Sequence, residues 1–167
     1  MKRRLTSISV KDVAARAKVN RATFYAHFPH KTALLNYTVR THLRDQLRKH
    51  VPAGSTLTPA TIERLIVAVC NALTLAGPQC RQLHGGVEAL IESTMKEEVR
   101  AVMLELLESQ GRTGTTLGDT IGRPMRATIA TWAIYGAALD WRTTRDTRPS
   151  AAFAAAVAPT IVRVLDL

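Results

Sequence analysis

Residues 20–35 read NRATFYAHFPHKTALL, and six polar side chains crowd positions 21–31 of this stretch. They surround the large apolar residues Phe24 and Phe28, and they are Arg21, Thr23, Tyr25, His27, His30 and Lys31. Cations and hydroxyls of these types bind phosphate oxygens, and an arginine can also donate two hydrogen bonds to a guanine edge. The stretch therefore predicts a surface that binds a polyanion, with nucleic acid as the candidate partner.

The net positive charge of the chain comes entirely from its first third. The 167 residues carry a net charge of +10, and residues 1–50 hold 12 of the 23 lysines and arginines but only two acids, Asp12 and Asp45. A basic segment joined to a neutral body is typical of a nucleic-acid-binding module on a scaffold with another role. We expect two domains: residues 1–50 for DNA binding, with a linking helix, and residues 51–167 for regulation and dimerisation.

Apolar residues recur at helical spacing along the whole chain, without strand alternation, which predicts an all-α fold. Ser9 and Asp12 form a capping box ahead of a short helix of about residues 10–17, and Asn20 caps a second one of about 21–27. The other predicted helices cover about residues 29–50, 59–76, 87–109, 123–144 and 149–166. Residues 77–86 read as a broken connection, and Pro159 should kink or divide the last helix.

The second short helix has distinct faces at about 100° per residue. Phe24 and Phe28 fall together and should face inward, which leaves Arg21 and Tyr25 outside. Two short helices joined by a tight turn predict a helix-turn-helix, whose second helix enters the DNA major groove. The competing interpretations are an ordinary solvated basic face and a metal site at His27 and His30. Pro29 interrupts that histidine pair, and no carboxylate lies near it in the sequence.

The run ISVKDVAARAKVNRATFYAHFPHKTALL, residues 8–35, resembles the TetR (tetracycline-repressor-like) family of transcriptional regulators. The family signature pairs V-x-D-V-A-x-x-A with V-[SN]-x-x-T-[FL]-Y-x-H-F-x-x-K-x-x-L. The second half is matched by Val19, Asn20, Thr23, Phe24, Tyr25, His27, Phe28, Lys31 and Leu34. The resemblance implies a helix-turn-helix followed by a larger helical domain for ligand binding and dimerisation.

The resemblance also implies roles for individual residues. Arg21, Ala22 and Thr23 would face bases, whereas Tyr25, His27 and Lys31 would hold phosphates. Ser9 and Lys11 would touch the backbone or a base where the first motif helix begins. The full expected DNA-binding set is Ser9, Lys11, Asn20, Arg21, Ala22, Thr23, Tyr25, His27 and Lys31.

Two departures from the family pattern carry expectations of their own. Lys18 stands where the family has a turn glycine, so a left-handed backbone there would cost ~1–2 kcal/mol. The family also has a full helix ahead of the motif, where this sequence has only MKRRLTSI before Ser9. The family's first helix is thus largely missing, and part of the apolar stripe of Val13, Phe24, Phe28 and Leu35 should be open to water.

The body offers candidates for a ligand pocket and for a dimer interface. Pocket candidates are Cys70, Leu73, Met95, Met103 and Trp132, each with ordinary core packing as the alternative. Large and small residues side by side in TIATWAIYGAALDW and in the last helix predict a two-fold interface, with intrachain packing as the alternative. Interface candidates are Ile129, Trp132, Gly136, Leu139, Phe153, Val157, Ile161 and Val164. Glu97 and Glu98 are expected on solvated faces.

These features predict a cytoplasmic, homodimeric, DNA-binding regulator, and most simply a repressor that occupies a palindromic operator. The family resemblance adds a small-molecule inducer. The alternative is a truncated TetR-like sensor or partner subunit with weak or no DNA binding of its own. The sequence shows no catalytic constellation, no metal or cofactor motif and no membrane span, so we expect neither an enzyme nor a cofactor. Cys70 and Cys80 are expected to be ordinary reduced thiols.

Overall fold

Seven helices make up the part of the chain that the computed structural model describes: residues 8–80, 87–109, 121–144 and 146–164, without the side chains of residues 75–80, 87 and 164. These ranges contain no strand, which confirms the predicted all-α fold. The helices are α1 (Val10–Arg16), α2 (Arg21–His27), α3 (Lys31–His50), α4 (Pro59–Cys80), α5 (Val87–Ser109), α6 (Arg123–Thr143) and α7 (Ser150–Val164).

The body is built around α4, which packs against α3, α5, α6 and α7. Burial of apolar side chains on several sides of a helix stabilises it in the centre of a bundle. The predicted apolar row of α4 is fully buried, and it consists of Ile62, Leu65, Ile66, Val69 and Leu73. Around this helix, α6 also packs on α5 and on α7. None of the described helices is both long and apolar enough to span a membrane.

The long helix α3 connects the two short N-terminal helices to the body. Its C-terminal half is anchored in the core, because Leu43, Leu47 and the following Val51 are buried in the same cluster as the α4 row. Its N-terminal half is more open, since Leu34 and Leu35 are only half-buried. The helix therefore extends from the body as an arm, and α1 and α2 lie at its free end.

Two boundaries differ from the predicted ones because proline is tolerated at particular places in a helix. Helix α4 continues to Cys80, past the break expected from residue 77 onward. Pro78 lacks only the one backbone N–H that would bond to Thr74, and so near the helix end this loss is small. Helix α7 also continues through Pro159 without being divided. Pro159 is exposed, on the outer side of the helix.

Candidate nucleic-acid interface

The first helix of the motif is fixed by the predicted capping box. The Ser9 hydroxyl oxygen accepts a hydrogen bond from the Asp12 backbone N–H at 3.1 Å, and Asp12 Oδ2 accepts from the Ser9 backbone N–H at 3.0 Å. The Ser9 hydroxyl also donates to Asp12 Oδ2 at 2.8 Å. These bonds satisfy amides that the first turn would otherwise leave free. Lys11 is exposed on the same helix.

The turn between α1 and α2 is a Schellman motif with lysine at its left-handed position. Lys18 has φ of +55°, as expected for the position where the family carries glycine. The Val19 backbone N–H donates to the Ala14 carbonyl at 3.0 Å, and the Lys18 N–H donates to the Ala15 carbonyl at 3.2 Å. Both bonds close the end of α1 in the way this motif requires. The exposed lysine therefore keeps a strained backbone in a well-bonded turn.

The second helix begins at an asparagine cap. Asn20 Oδ1 accepts from the Thr23 backbone N–H at 2.7 Å and from the Thr23 hydroxyl at 3.0 Å. The cap fixes the direction in which α2 leaves the turn. The Thr23 hydroxyl has its single proton engaged in this bond, so toward an outside partner it would act as an acceptor.

The two sides of α2 differ sharply in exposure. Phe24 is 5% exposed, whereas Tyr25, the next residue, is 55% exposed. An outer face, which we call the α2 face, consists of Arg21, Ala22, Tyr25 and Ala26, all of them exposed. Within the described residues, Arg21 has no acidic partner. The α2 face thus combines a cation and a phenol with two small residues, which would allow close approach to another surface.

A column of aromatic rings joins α2 to α3. The ring centroids of Phe24 and Phe28 are 5.9 Å apart, and those of Phe28 and Tyr37 are 5.7 Å apart. Lys31 at the start of α3 donates from Nζ to the Ile8 carbonyl at 3.0 Å, which ties α3 to the residue before Ser9. Phe28 and Leu35 are half-buried and Tyr37 is exposed, so this junction is less covered than the body.

His27 is exposed near the end of α2, where its imidazole ring lies 6.5 Å from Phe28. His30, three residues on, is the N-cap of α3, and its Nδ1 accepts from the Ala33 backbone N–H at 3.1 Å. Sequence reasoning missed this capping role because histidine is an uncommon N-cap. Among the described residues, no three of His, Cys, Asp and Glu come close enough to hold a metal ion.

Four of the five pocket candidates lie together in the apolar core, and the fifth does not. Cys70, Leu73, Met95 and Met103 are buried, and burial raises the pKa of the Cys70 thiol to about 11. Trp132 is 56% exposed on the outer side of α6, with Lys96 Nζ 4.1 Å from its ring centroid. The structure therefore places Trp132 outside the core that contains the other four candidates.

The dimer candidates divide in the same way. Ile129, Trp132 and Gly136 are exposed along one stripe of α6, and Leu139 and Val157 are partly buried. Phe153 and Ile161 pack in the core of the chain itself, because the apolar side of α7 lies against α4. These two residues are thus covered within the chain itself, and the side chain of Val164 lies outside the described residues. Met125, one turn before Ile129, belongs to the same exposed stripe and was not predicted.

The acidic pair on α5 also differs from expectation. Glu97 is exposed, but Glu98 is buried where Arg40 and Arg44 of α3 reach its carboxylate. Sequence spacing did not predict this burial, because the cations that pair with Glu98 lie on a different helix, far away in the sequence.

Comparison with known proteins supports the geometric interpretation of the N-terminal segment. Residues 5–38 match the family described as bacterial regulatory proteins, tetR family. No curated protein matches the chain. Among solved structures, the fatty acid degradation regulator FadR from Bacillus halodurans is similar in fold, with a TM-score of 0.55 and 15% sequence identity. The similarity covers 94% of this chain and 85% of that one.

The fold and the site together define an all-helical transcriptional regulator with an N-terminal helix-turn-helix. The match of residues 5–38 to the tetR family supports a transcriptional regulator, and the similarity to FadR supports the shared all-helical fold. The resemblance found in residues 8–35 is thereby confirmed.

Proposed function

We propose that the chain is a repressor that binds a palindromic DNA operator as a homodimer and changes its affinity when a small molecule binds the body. The main support for DNA binding is that the α2 face is exposed, whereas Phe24 on the opposite side of the helix is buried and anchors it. The same segment contains the net positive charge of the protein. An exposed helix with these side chains fits the major groove, which is about 12 Å wide.

We assign roles to the exposed residues of the motif by their chemistry. Arg21 stands at the N-terminus of α2, where a recognition helix contacts base edges, and its guanidinium suits guanine. Ala22 and Thr23 lie beside it. The remaining set would position the protein on phosphates, and it consists of Ser9, Lys11, Asn20, Tyr25, His27 and Lys31. Lys31 would do so while its ammonium group keeps the hydrogen bond to Ile8.

Dimerisation is proposed through the outer stripe of α6. Met125, Ile129, Trp132 and Gly136 follow one another at spacings of four, three and four residues, which places them on one side of the helix. Large exposed apolar side chains in a row mark interaction surfaces. A Cβ atom added at Gly136 would meet no atom of the described residues within 4 Å, so a partner helix could come close there. Two copies would then present two recognition helices to successive turns of DNA, ~34–36 Å apart.

The ligand response is proposed for the core between α4, α5 and α6. The buried candidates Cys70, Leu73, Met95 and Met103 are uncharged, so an apolar effector would suit them, and methionine side chains adapt readily to a guest. Such a molecule would change DNA affinity only if it bound one arrangement of α3 better than another. In this scheme residues 1–50 form the DNA-binding domain and 51–167 the regulatory domain, with α3 shared between their cores.

The proposal is tested by DNA binding over a range of salt concentrations. The purified protein is presented with random-sequence duplexes and with its own upstream DNA, and bound duplexes are selected and sequenced. We expect a palindromic site and an affinity that falls steeply with salt, because phosphate contacts release counterions. Absence of any retarded DNA at about 50 mM salt, from a protein with a helical circular dichroism spectrum, would instead favour the partner-subunit alternative.

A further inference from the structure

A row of ion pairs joins the arm helix α3 to α5. Glu98 is 4% exposed, and both of its carboxylate oxygens are engaged by arginines: Oε2 by Arg44 Nε at 2.9 Å, and Oε1 by Arg40 Nη1 at 3.3 Å. Arg40 also pairs with Glu97, and Arg48 pairs with Glu105. Residue numbers rise together along the row, so α3 and α5 run in the same direction here. A buried carboxylate needs such partners, because unpaired charge is strongly disfavoured in the interior.

The sequence of α3 has a period of four over this contact. Residues 39–51 read VRTHLRDQLRKHV, so that the dipeptides Val-Arg, Leu-Arg and Leu-Arg follow one another at four-residue steps, and Val51 then closes the series. The arginine row faces α5, and the apolar row, Val39, Leu43, Leu47 and Val51, packs in the core. Residues four apart form a continuous ridge on a helix surface, and such ridges fit into grooves of neighbouring helices.

We propose that this repeat lets α3 occupy two registers against α5, the observed one and a second displaced by one repeat toward the N-terminal end of α3. In the second register Arg44 takes the place of Arg40, and Arg48 takes the place of Arg44. Four residues correspond to a rise of about 6 Å and a turn of about 400°, so the helix advances by about 6 Å and rotates by about 40°. Packed interfaces change between discrete arrangements of this kind.

The second register keeps the pairing of the buried Glu98, whose loss would be strongly destabilising, and it breaks one exposed ion pair, whose loss has little effect. Glu98 remains bridged by two arginines that are one turn apart. The ion pair between Arg48 and Glu105 breaks, but Glu105 is 47% exposed, and exposed ion pairs contribute little. In the apolar row, Leu47 takes the place of Leu43 without change of side chain. Val51 replaces Leu47, which is larger by one methylene group, and Ser55 would replace the buried Val51, so both changes favour the observed register.

The surroundings of the row leave room for this motion. A groove of about 220 Å³ lies along the contact, lined by Arg44, Leu47, Arg48, Glu98, Ala101, Val102 and Glu105. The connection from α3 to α4 contains a turn at Pro52–Ser55, in which the Ser55 N–H donates to the Pro52 carbonyl at 3.2 Å. Opening this turn would lengthen the connection. The residues between the two helices, 52–58, can extend to roughly 20 Å at about 3.3 Å each. A shift of about 6 Å would require the turn at Pro52–Ser55 to open and lengthen this segment.

The consequence for DNA binding rests on the proposed function. Because α1 and α2 lie at the free end of α3, a change of register carries them about 6 Å relative to the body. In a dimer held through α6, the spacing of the two recognition helices would change with it. Arg40, Arg44, Arg48 and Glu98 are thus positioning residues that set which operator spacing the protein fits.

The test uses two matched variants that remove one arginine each from the same row. Arg48→Met loses only the exposed pair to Glu105 in the observed register, but it removes an arginine from Glu98 in the second. Arg40→Met does the opposite, because Arg40 has no acidic partner in the second register. Spin labels at His42 and Ser93, both exposed on α3 and α5, report the separation by pulsed electron resonance. The native cysteines Cys70 and Cys80 are replaced by alanine, and labelled chain is diluted with unlabelled chain.

We expect the Arg40→Met variant to contain a second distance population that is displaced by up to ~6 Å and absent from Arg48→Met. Selection of operators by the two variants should then give different half-site spacings. One unchanged population in both variants, or the same change in both, would overturn the two-register proposal. The distances are measured without DNA, so this outcome is independent of whether the wild-type protein binds an operator.

Discussion

Phe24 and Tyr25 are neighbours in the chain, and their rings meet edge to face with centroids 5.4 Å apart and planes at 89°, yet one is buried and the other is exposed. The buried ring holds α2 against the motif, and its edge-on contact limits the freedom of the exposed phenol. A side chain that is ordered before binding loses less entropy when a partner arrives. The pair therefore presents the tyrosine hydroxyl as a preorganised hydrogen-bonding group.

Replacement of Tyr25 by phenylalanine should test that group alone. The ring contact with Phe24 is kept, so we expect no measurable change in the unfolding midpoint. DNA affinity should fall by about 0.5–1.5 kcal/mol, the typical contribution of one hydrogen bond. Fluorescence anisotropy with a selected operator measures the difference. An equal affinity of the two proteins would show that the Tyr25 hydroxyl makes no contact with DNA.

Arg21→Ala should change specificity rather than only affinity. If the guanidinium reads a guanine, the variant should lose about 1–3 kcal/mol of discrimination at one base pair in each half-site. Competition among operators with single-base changes reads this out. The matched control is Lys49→Ala, which removes an exposed cation at the far end of α3 and should leave base preference unchanged. A uniform loss of affinity for all sequences would assign Arg21 to the phosphates instead.

Lys18→Gly should stabilise the protein while it weakens DNA binding. Glycine adopts the left-handed backbone without strain, and after its larger entropy in the unfolded chain is subtracted we expect a net gain of roughly 1 kcal/mol. Loss of the exposed charge should reduce the salt dependence of DNA binding. Lys18→Ala keeps the strain and removes the charge, so it should show the second effect without the first. Denaturant unfolding of the two variants separates the contributions.

Trp132→Asp should convert the dimer to a monomer without unfolding the chain. The side chain lies outside the core, so its replacement leaves the packing of α6 on α4 and α5 intact. The substitution removes the large apolar contact of Trp132 and places a carboxylate, with only Lys96 beside it, in an apolar interface, and two-fold symmetry presents the change twice. Sedimentation at micromolar concentration measures the assembly. Tyr37→Asp is the control, because Tyr37 is equally exposed but lies on α3, and it should leave the mass unchanged.

Cys70 should react with thiol reagents only when the protein opens. Burial raises the pKa of its thiol from 9.0 to about 11, so at pH 8 the thiolate fraction is about 100-fold lower than for a free cysteine. The reaction rate of a Cys80→Ala protein should keep rising with pH until about 11 rather than level off near 9. The raised pKa also means that stability is fully present below pH 9 and declines as the pH rises toward 11. Cys70→Ala should lack that decline.

The N-terminal motif was predictable in detail because its signals are local. A capping box and an asparagine cap each depend on residues within a few positions, so Ser9 and Asn20 could be placed without knowledge of the rest. The left-handed backbone at Lys18 was suggested only by the family resemblance. The burial of Phe24 follows from helical spacing in the same way. The apolar row of α4 was equally clear, because large residues at helical spacing must be covered.

The body was harder, because its arrangement depends on which helices meet. Phe153 and Ile161 have the pattern of an apolar face, and only the packing of α7 on α4 shows that this face is satisfied within the chain. Trp132 is a large aromatic residue of the kind that lines pockets, but it lies outside the core on α6, more than half exposed beside Lys96 of α5. The period of four in α3 is visible in the letters, yet any amphipathic helix has an apolar row at such spacing. The role of its arginine row became visible only in the structure, where these arginines pair with Glu97, Glu98 and Glu105 of α5.

The amino-acid sequence by itself determined an all-helical chain with a basic helix-turn-helix at its start and an apolar central helix, because caps, turns and helical periodicity are properties of neighbouring residues. Only the tertiary structure decided which helix faces remain exposed and which are covered by other helices. Burial of a side chain depends on residues distant in sequence, so the exposed stripe of α6 and the two arginines that close on Glu98 appear only when the helices are assembled.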